Sequence, residues 1–131
     1  MSKYNIWGKE FKLNVLFECQ SDKEPTKIQN QALEKFENEL NKNNGSKGTN
    51  TIQYYLDSQK EIMSFISNLD GIDDIDTNCS ILDYLTPTEI IVLNEKDRMV
   101  EIICDFKFDM EHSISLRFKN EKFDGFYQIE V

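Results

Sequence analysis

Side chains able to do covalent chemistry are few in this chain. His112 is its single histidine, and Cys19, Cys79 and Cys104 are its only thiols, in 131 residues. A serine nucleophile needs a base in reach and commonly sits in a Gly-x-Ser-x-Gly elbow, and no serine here has that setting. A Cys–His pair would need a thiol in polar, partly exposed surroundings. Cys19 and Cys104 instead fall in alternating apolar runs, which predicts buried, inert thiols. An odd number of cysteines without Cys-x-x-Cys spacing argues against a disulfide framework or a zinc site.

Carboxylates are the richer stock, and they gather in two places. Asp105, Asp109 and Glu111 lie beside His112, an oxygen and nitrogen set that could in principle hold a transition metal. Read as one extended strand, however, Asp105 and Asp109 are roughly 13 Å apart, too far to share an ion without a bulge. The competing reading is turn chemistry, with Asp109 stabilising a turn and His112 docked on a neighbour. The second group is Asp70, Asp73, Asp74 and Asp76. Calcium wants six to eight oxygens, but here glycine stands second in the loop and Ile81 occupies the place of the twelfth-position glutamate. A solvated acidic loop is the expectation. Gly45-Ser46-Lys47-Gly48 lacks the first glycine and the preceding strand of a phosphate-binding loop. No catalytic set, metal or cofactor is therefore expected.

The elements that must position these residues follow from periodicity. Tyr4 to Ile6, a turn at Trp7-Gly8-Lys9, and a run in which Phe11, Leu13, Val15, Phe17 and Cys19 alternate with polar residues predict a hairpin. Pro25, then Thr26 with Gln29 as a capping box, opens a helix whose apolar stripe is Ile28, Ala32, Leu33, Phe36 and Leu40. A polar loop over 41–50 leads to a second predicted helix over about 51–68. Ile81 to Leu85 reads as a helical turn ended by Thr86-Pro87. Four strands should follow: Glu89 to Leu93, Met99 to Phe108, one around Ile114 to Phe118, and Phe123 to Val131, with turns at 94–98, 109–112 and 120–121. The order β-β-α-α-β-β-β-β predicts one α+β domain over 1–131. Its antiparallel sheet of about six strands would carry both helices on one face and leave the other face polar and open.

Charge narrows the partners. The net charge is −9. Residues 57–111 hold 14 acidic and 4 basic side chains, while the rest of the chain is nearly balanced with 10 and 11. Such a field repels nucleic acid and anionic membranes and attracts basic proteins. Lys9, Lys12, Arg117, Lys119 and Lys122 are interleaved with acids and make no nucleic-acid footprint. No apolar run approaches the roughly 20 residues of a membrane span, and Met1 to Asn5 carries no signal-peptide core. Unpaired thiols fit a cytoplasmic setting.

The C-terminal half carries a resemblance. Leu85-Thr86-Pro87-Thr88-Glu89-Ile90, a strand ending in Asp105, then Asp109-Met110-Glu111-His112 and Ile114-Ser115-Leu116-Arg117-Phe118-Lys119-Asn120 are similar to a family of small, largely uncharacterised bacterial domains. Gly8-Lys9-Glu10 and the Thr26-capped segment echo the opening of that family, whereas Ser113 and Glu121 stand where it usually has glycine. The resemblance implies no enzyme activity. It implies a kinship with immunity proteins, which neutralise a cognate toxin. The expected function is thus a cytoplasmic, non-enzymatic inhibitor of a basic, nuclease-like toxin, bound through Asp70, Asp73, Asp74, Asp76, Asp105, Asp109 and Glu111. The alternatives are an interaction module or homodimer using a sheet edge or face, and a metal-dependent enzyme built on Asp105, Asp109, Glu111 and His112.

Overall fold

The computed structural model describes residues 2–19, 23–41, 85–106 and 109–130, with main chain alone for 109–111, 126, 128 and 130. Its elements are β1 (Ser2–Ile6), β2 (Lys9–Phe17), α1 (Lys27–Asn41), β3 (Leu85–Val92), β4 (Met99–Phe106), β5 (Asp109–Lys119) and β6 (Lys122–Glu130). The six strands form one sheet in the order β1-β2-β3-β4-β5-β6.

The α+β class and the strand number agree with the sequence reading, but the pairing does not. β2 and β3 run parallel, so the sheet is mixed where an antiparallel one was expected. The cause is the long connection between them. Short turns return a chain antiparallel, whereas a crossover that includes a helix can bring it back in the same direction. Among the described residues there is one helix, where two were expected. The second expected helix, over 51–68, lies outside the described residues.

Two tight hairpins close the sheet's ends. Trp7 and Gly8 have φ of 56° and 78°, and Asn120 and Glu121 have φ of 49° and 67°. Positive φ at both central residues is the geometry of a type I′ turn, whose twist suits the flanking strands. β3 begins four residues earlier than expected and takes in Thr86-Pro87 instead of stopping there. Proline can enter a sheet where pairing is locally relaxed, and a register shift lies between Pro87 and Glu89. Thr88 sits in that shift and donates its hydroxyl to the Ile103 carbonyl over 3.1 Å.

One sheet face makes the core. Leu13, Ile90, Val92, Val100, Ile102, Cys104, Ile114 and Leu116 are buried together with Ala32 and Phe36 of α1. Phe36 meets Phe118 of β5 with ring centroids 5.0 Å apart, and Phe118 meets Phe123 at 5.7 Å. The stripe of α1 is rotated from the predicted one, because Ile28 is exposed and Gln29 takes the buried place.

The reason is chemical. Thr26 Oγ1 accepts from the Gln29 main-chain N–H at 3.1 Å, and Gln29 Oε1 accepts from the Thr26 N–H at 2.8 Å. This is a complete capping box. The other end of the same amide donates to the carbonyls of Glu18, at 2.8 Å, and Val92, at 3.2 Å. One buried side chain therefore fixes the start of α1 against the carboxyl ends of both parallel strands.

Candidate functional site

The face turned away from α1 is organised in rows, because successive side chains alternate and paired residues lie side by side. One row runs Thr86, Asp105, Ser113, Ile129; the next Glu89, Ile103, Ser115, Tyr127; the next Ile91, Glu101, Arg117, Gly125. This face is not the open polar surface that alternation alone predicts. Ser115 is wholly buried, and Ile103 and Glu101 are nearly so.

Long side chains interlock at the centre of this face. Ser115 Oγ donates to Glu101 Oε2, and Arg117 Nη2 donates to Glu101 Oε1 over 2.9 Å. The Arg117 guanidinium then lies over the Tyr127 ring, 4.6 Å from its centroid. Gly125 pairs with Arg117, and the Tyr127 hydroxyl lies beside it, at ordinary contact distance (3.7 Å) from where a Cβ would stand. The result is a chain of contacts from a buried carboxylate to an aromatic ring. Tyr127 is 45% exposed, and its neighbour Ile129 is 38% exposed. Asp105 is exposed at the other end of Ile129's row.

The predicted site residues are distributed unevenly. Asp70, Asp73, Asp74 and Asp76 lie outside the described residues, as does Cys79. Asp105 ends the regular pairing of β4, and a register shift follows it. Asp109 and Glu111 belong to β5, and Asp109 pairs with Phe106. The expected turn at 109–112 is thus strand, and β4 ends at Phe106, not Phe108. Asp105 and Asp109 fall on neighbouring strands of a hairpin, not along one extended run. His112 is likewise a strand residue, paired with Glu130. No cluster of three or more potential metal ligands occurs among the described residues.

The thiols part company. Cys104 is fully buried, and burial with Asp105 nearby pushes its pKa upward, so it stays protonated. Cys19 was expected in the core but is exposed beyond the end of β2. It lines a cavity of about 180 Å³ with Lys23, Glu24, Thr26, Gln29 and Asn94. The carboxyl ends of parallel strands often receive ligands. Here, though, both ends of the Gln29 amide are engaged by the main chain, so the cavity's most buried polar group serves the fold.

The sequence reading missed the chain Glu101–Ser115–Arg117–Tyr127. Its signal was an acid on one strand opposite a base on the next, Glu101 with Arg117, which becomes visible only once the β4–β5 register fixes which residues oppose one another. No helix among the described residues is long and apolar enough to cross a membrane.

Residues 1–125 match the family model described as a domain of unknown function, DUF6985, and the chain belongs to that family. No curated protein and no solved structure matches it.

Proposed function

We propose that this DUF6985 domain is a cytoplasmic, non-enzymatic inhibitor of the immunity type, which neutralises a basic bacterial toxin by docking through an acidic, partly apolar surface. The observation that carries this reading is the corner of β4, β5 and β6, where Ile129 is exposed in the same row as exposed Asp105 and Tyr127 is exposed in the row beside it. Interfaces draw their affinity from buried aromatic anchors and their encounter rate from complementary charge. Asp109 and Glu111 enter β5 beside this corner, and Asp70, Asp73, Asp74 and Asp76, outside the described residues, contribute to the chain's net charge of −9. A basic toxin domain would be drawn to that field and held at the corner, with its own cleft obstructed.

The test is direct. The protein encoded next to this chain's gene is expressed and assayed for toxicity, and its affinity for the chain is measured by calorimetry and by rescue of growth. Tight binding is expected, with Asp105→Lys, Asp109→Lys and Glu111→Lys together slowing association at least tenfold at low salt. Unchanged association after that reversal, or no binding by the unmodified chain, would remove the reading. The alternative of a homodimer through the β6 edge is weakened by the register shift between Arg117 and Phe118, which leaves Asp124 outside the β5 pairing. Irregularities of that kind commonly guard an edge against further pairing.

A further inference from the structure

We infer that Tyr127 is a prepared cation-binding platform, and that the partner residue it receives is a lysine or arginine side chain. Only the identity of the partner protein rests on the proposed function; the platform stands on its own geometry.

Three features make the ring a platform and not merely an exposed aromatic. The first is that it is held. Arg117 lies 4.6 Å from the ring centroid on one side, and Arg117 is itself fixed by the 2.9 Å bond to Glu101. The second is that the phenol lies back along its own strand, its hydroxyl beside Gly125 at ordinary contact distance, 3.7 Å, from where a Cβ would stand. The third is that 45% of the residue remains exposed. Little side-chain freedom is then left to lose on binding, which is the usual penalty for a surface aromatic.

Charge selects the occupant. The face of an aromatic ring carries negative potential, and a cation within about 6 Å of its centroid is attracted. Arg117 over one side of the ring would ordinarily repel a second cation. Its charge is neutralised by Glu101, whose carboxylate also receives the Ser115 hydroxyl. The opposite side of the ring therefore keeps its attraction for a cation. Asp105 lies two strands and two positions away, roughly 12 Å along the sheet by ordinary strand spacings. Two basic side chains of one partner segment could occupy the ring and the carboxylate together. An apolar partner residue would gain area on the ring but nothing from Asp105.

The experiment uses the full chain and a defined probe, the peptide decalysine, followed by proton NMR. Lysine ε-methylene protons over an aromatic ring move upfield, whereas lysines held only by the general negative charge do not. The unmodified chain and Tyr127→Phe should both produce a saturable upfield shift, with affinities within threefold of each other. Tyr127→Leu, which keeps apolar area but has no ring, should abolish the shift, as should Tyr127→Ala. Tyr127 is surface-exposed, so unchanged melting curves are expected for all three variants. Absence of the shift in the unmodified chain, or its persistence in Tyr127→Leu, overturns the platform. The toxin domain provides the second arm. If it binds Tyr127→Leu as tightly as the unmodified chain, the partner does not use the ring and the inference fails, while the inhibitor reading stands. If no toxin binds but the decalysine shift follows the ring, the inhibitor reading fails and the platform stands.

Discussion

The side-chain amide of Gln29 donates to the main-chain carbonyl of Val92 over 3.2 Å, joining positions 63 apart in sequence. The same nitrogen donates to the Glu18 carbonyl, and the oxygen closes the helix cap on Thr26. Gln29→Ala removes all three bonds at a buried site. Leaving buried partners unsatisfied costs about 1–3 kcal/mol, so a loss of about 2–3 kcal/mol is expected. Gln29→Glu keeps the cap acceptor but sets a carboxylate against two carbonyls, and it should destabilise at least as much near neutral pH. Urea unfolding checks both. An indifferent Gln29→Ala would mean that α1 is anchored by its apolar stripe alone.

Glu121 occupies a turn position that favours glycine, at φ 67°. The left-handed region costs a residue with a Cβ about 1 kcal/mol. Arg98 offsets this by gripping the Glu121 carboxylate at 2.9 and 3.2 Å, while the Asn120 N–H donates to the Arg98 carbonyl at 2.7 Å. Glu121→Gly relieves the strain and loses the grip at once, so its net effect should be small. In an Arg98→Ala background the grip is already gone, and the same substitution should stabilise by about 1 kcal/mol. Melting curves of the four proteins in this cycle decide it; equal effects in both backgrounds would mean the ion pair contributes nothing.

The local features were legible, and the long-range ones were not. The capping box of Thr26 and Gln29, the turns at Trp7-Gly8 and Asn120-Glu121, and the alternation of β2 and β4 are written in a few adjacent residues. The parallel pairing of Asn14 to Phe17 with Glu89 to Val92 is not, because strand periodicity carries no information on direction. Gln29 was read as a cap, and its second role depended on two strand ends distant in sequence. Cys19 looked buried because alternation was extended two residues past the end of β2. At the candidate site, Asp105 was picked for its charge, whereas Tyr127 and Arg117 matter through a stacking that requires the β5–β6 register.

Tyr4 provides a pH signature. It is buried, and burial followed by the nearby Glu37 carboxylate pushes its phenol up to about 12 from an ordinary 10. The folded state therefore holds the phenolic proton more tightly than the unfolded chain does. Stability from this group is fully present below pH 10 and is lost as pH rises through about 12. Denaturation midpoints should fall across that window. Tyr4→Phe, which cannot ionise, should flatten that part of the curve. A Tyr4→Phe profile that falls as steeply as the parent's would assign the alkaline loss to other groups.

Glu101 should be the residue on which the second face depends. Its carboxylate receives Ser115 and Arg117, and the Arg117 Nε is buried without a hydrogen-bond partner, so the guanidinium already depends on that one counter-charge. Removing one member of a buried pair costs about 3–5 kcal/mol, but Arg117 keeps 31% of its side chain exposed and water screens part of the loss. Glu101→Ala should therefore destabilise by about 2 kcal/mol. Glu101→Leu with Arg117→Met replaces the charges by apolar bulk, and such exchanges are often neutral. The double variant should recover most of the stability while losing the support beneath Tyr127. Comparing the two separates holding the fold from holding the ring. The double variant should melt near the parent, yet its decalysine-induced upfield shift should weaken. If that shift is unchanged in a stable double variant, the Glu101–Arg117 pair does not prepare Tyr127 for its ligand.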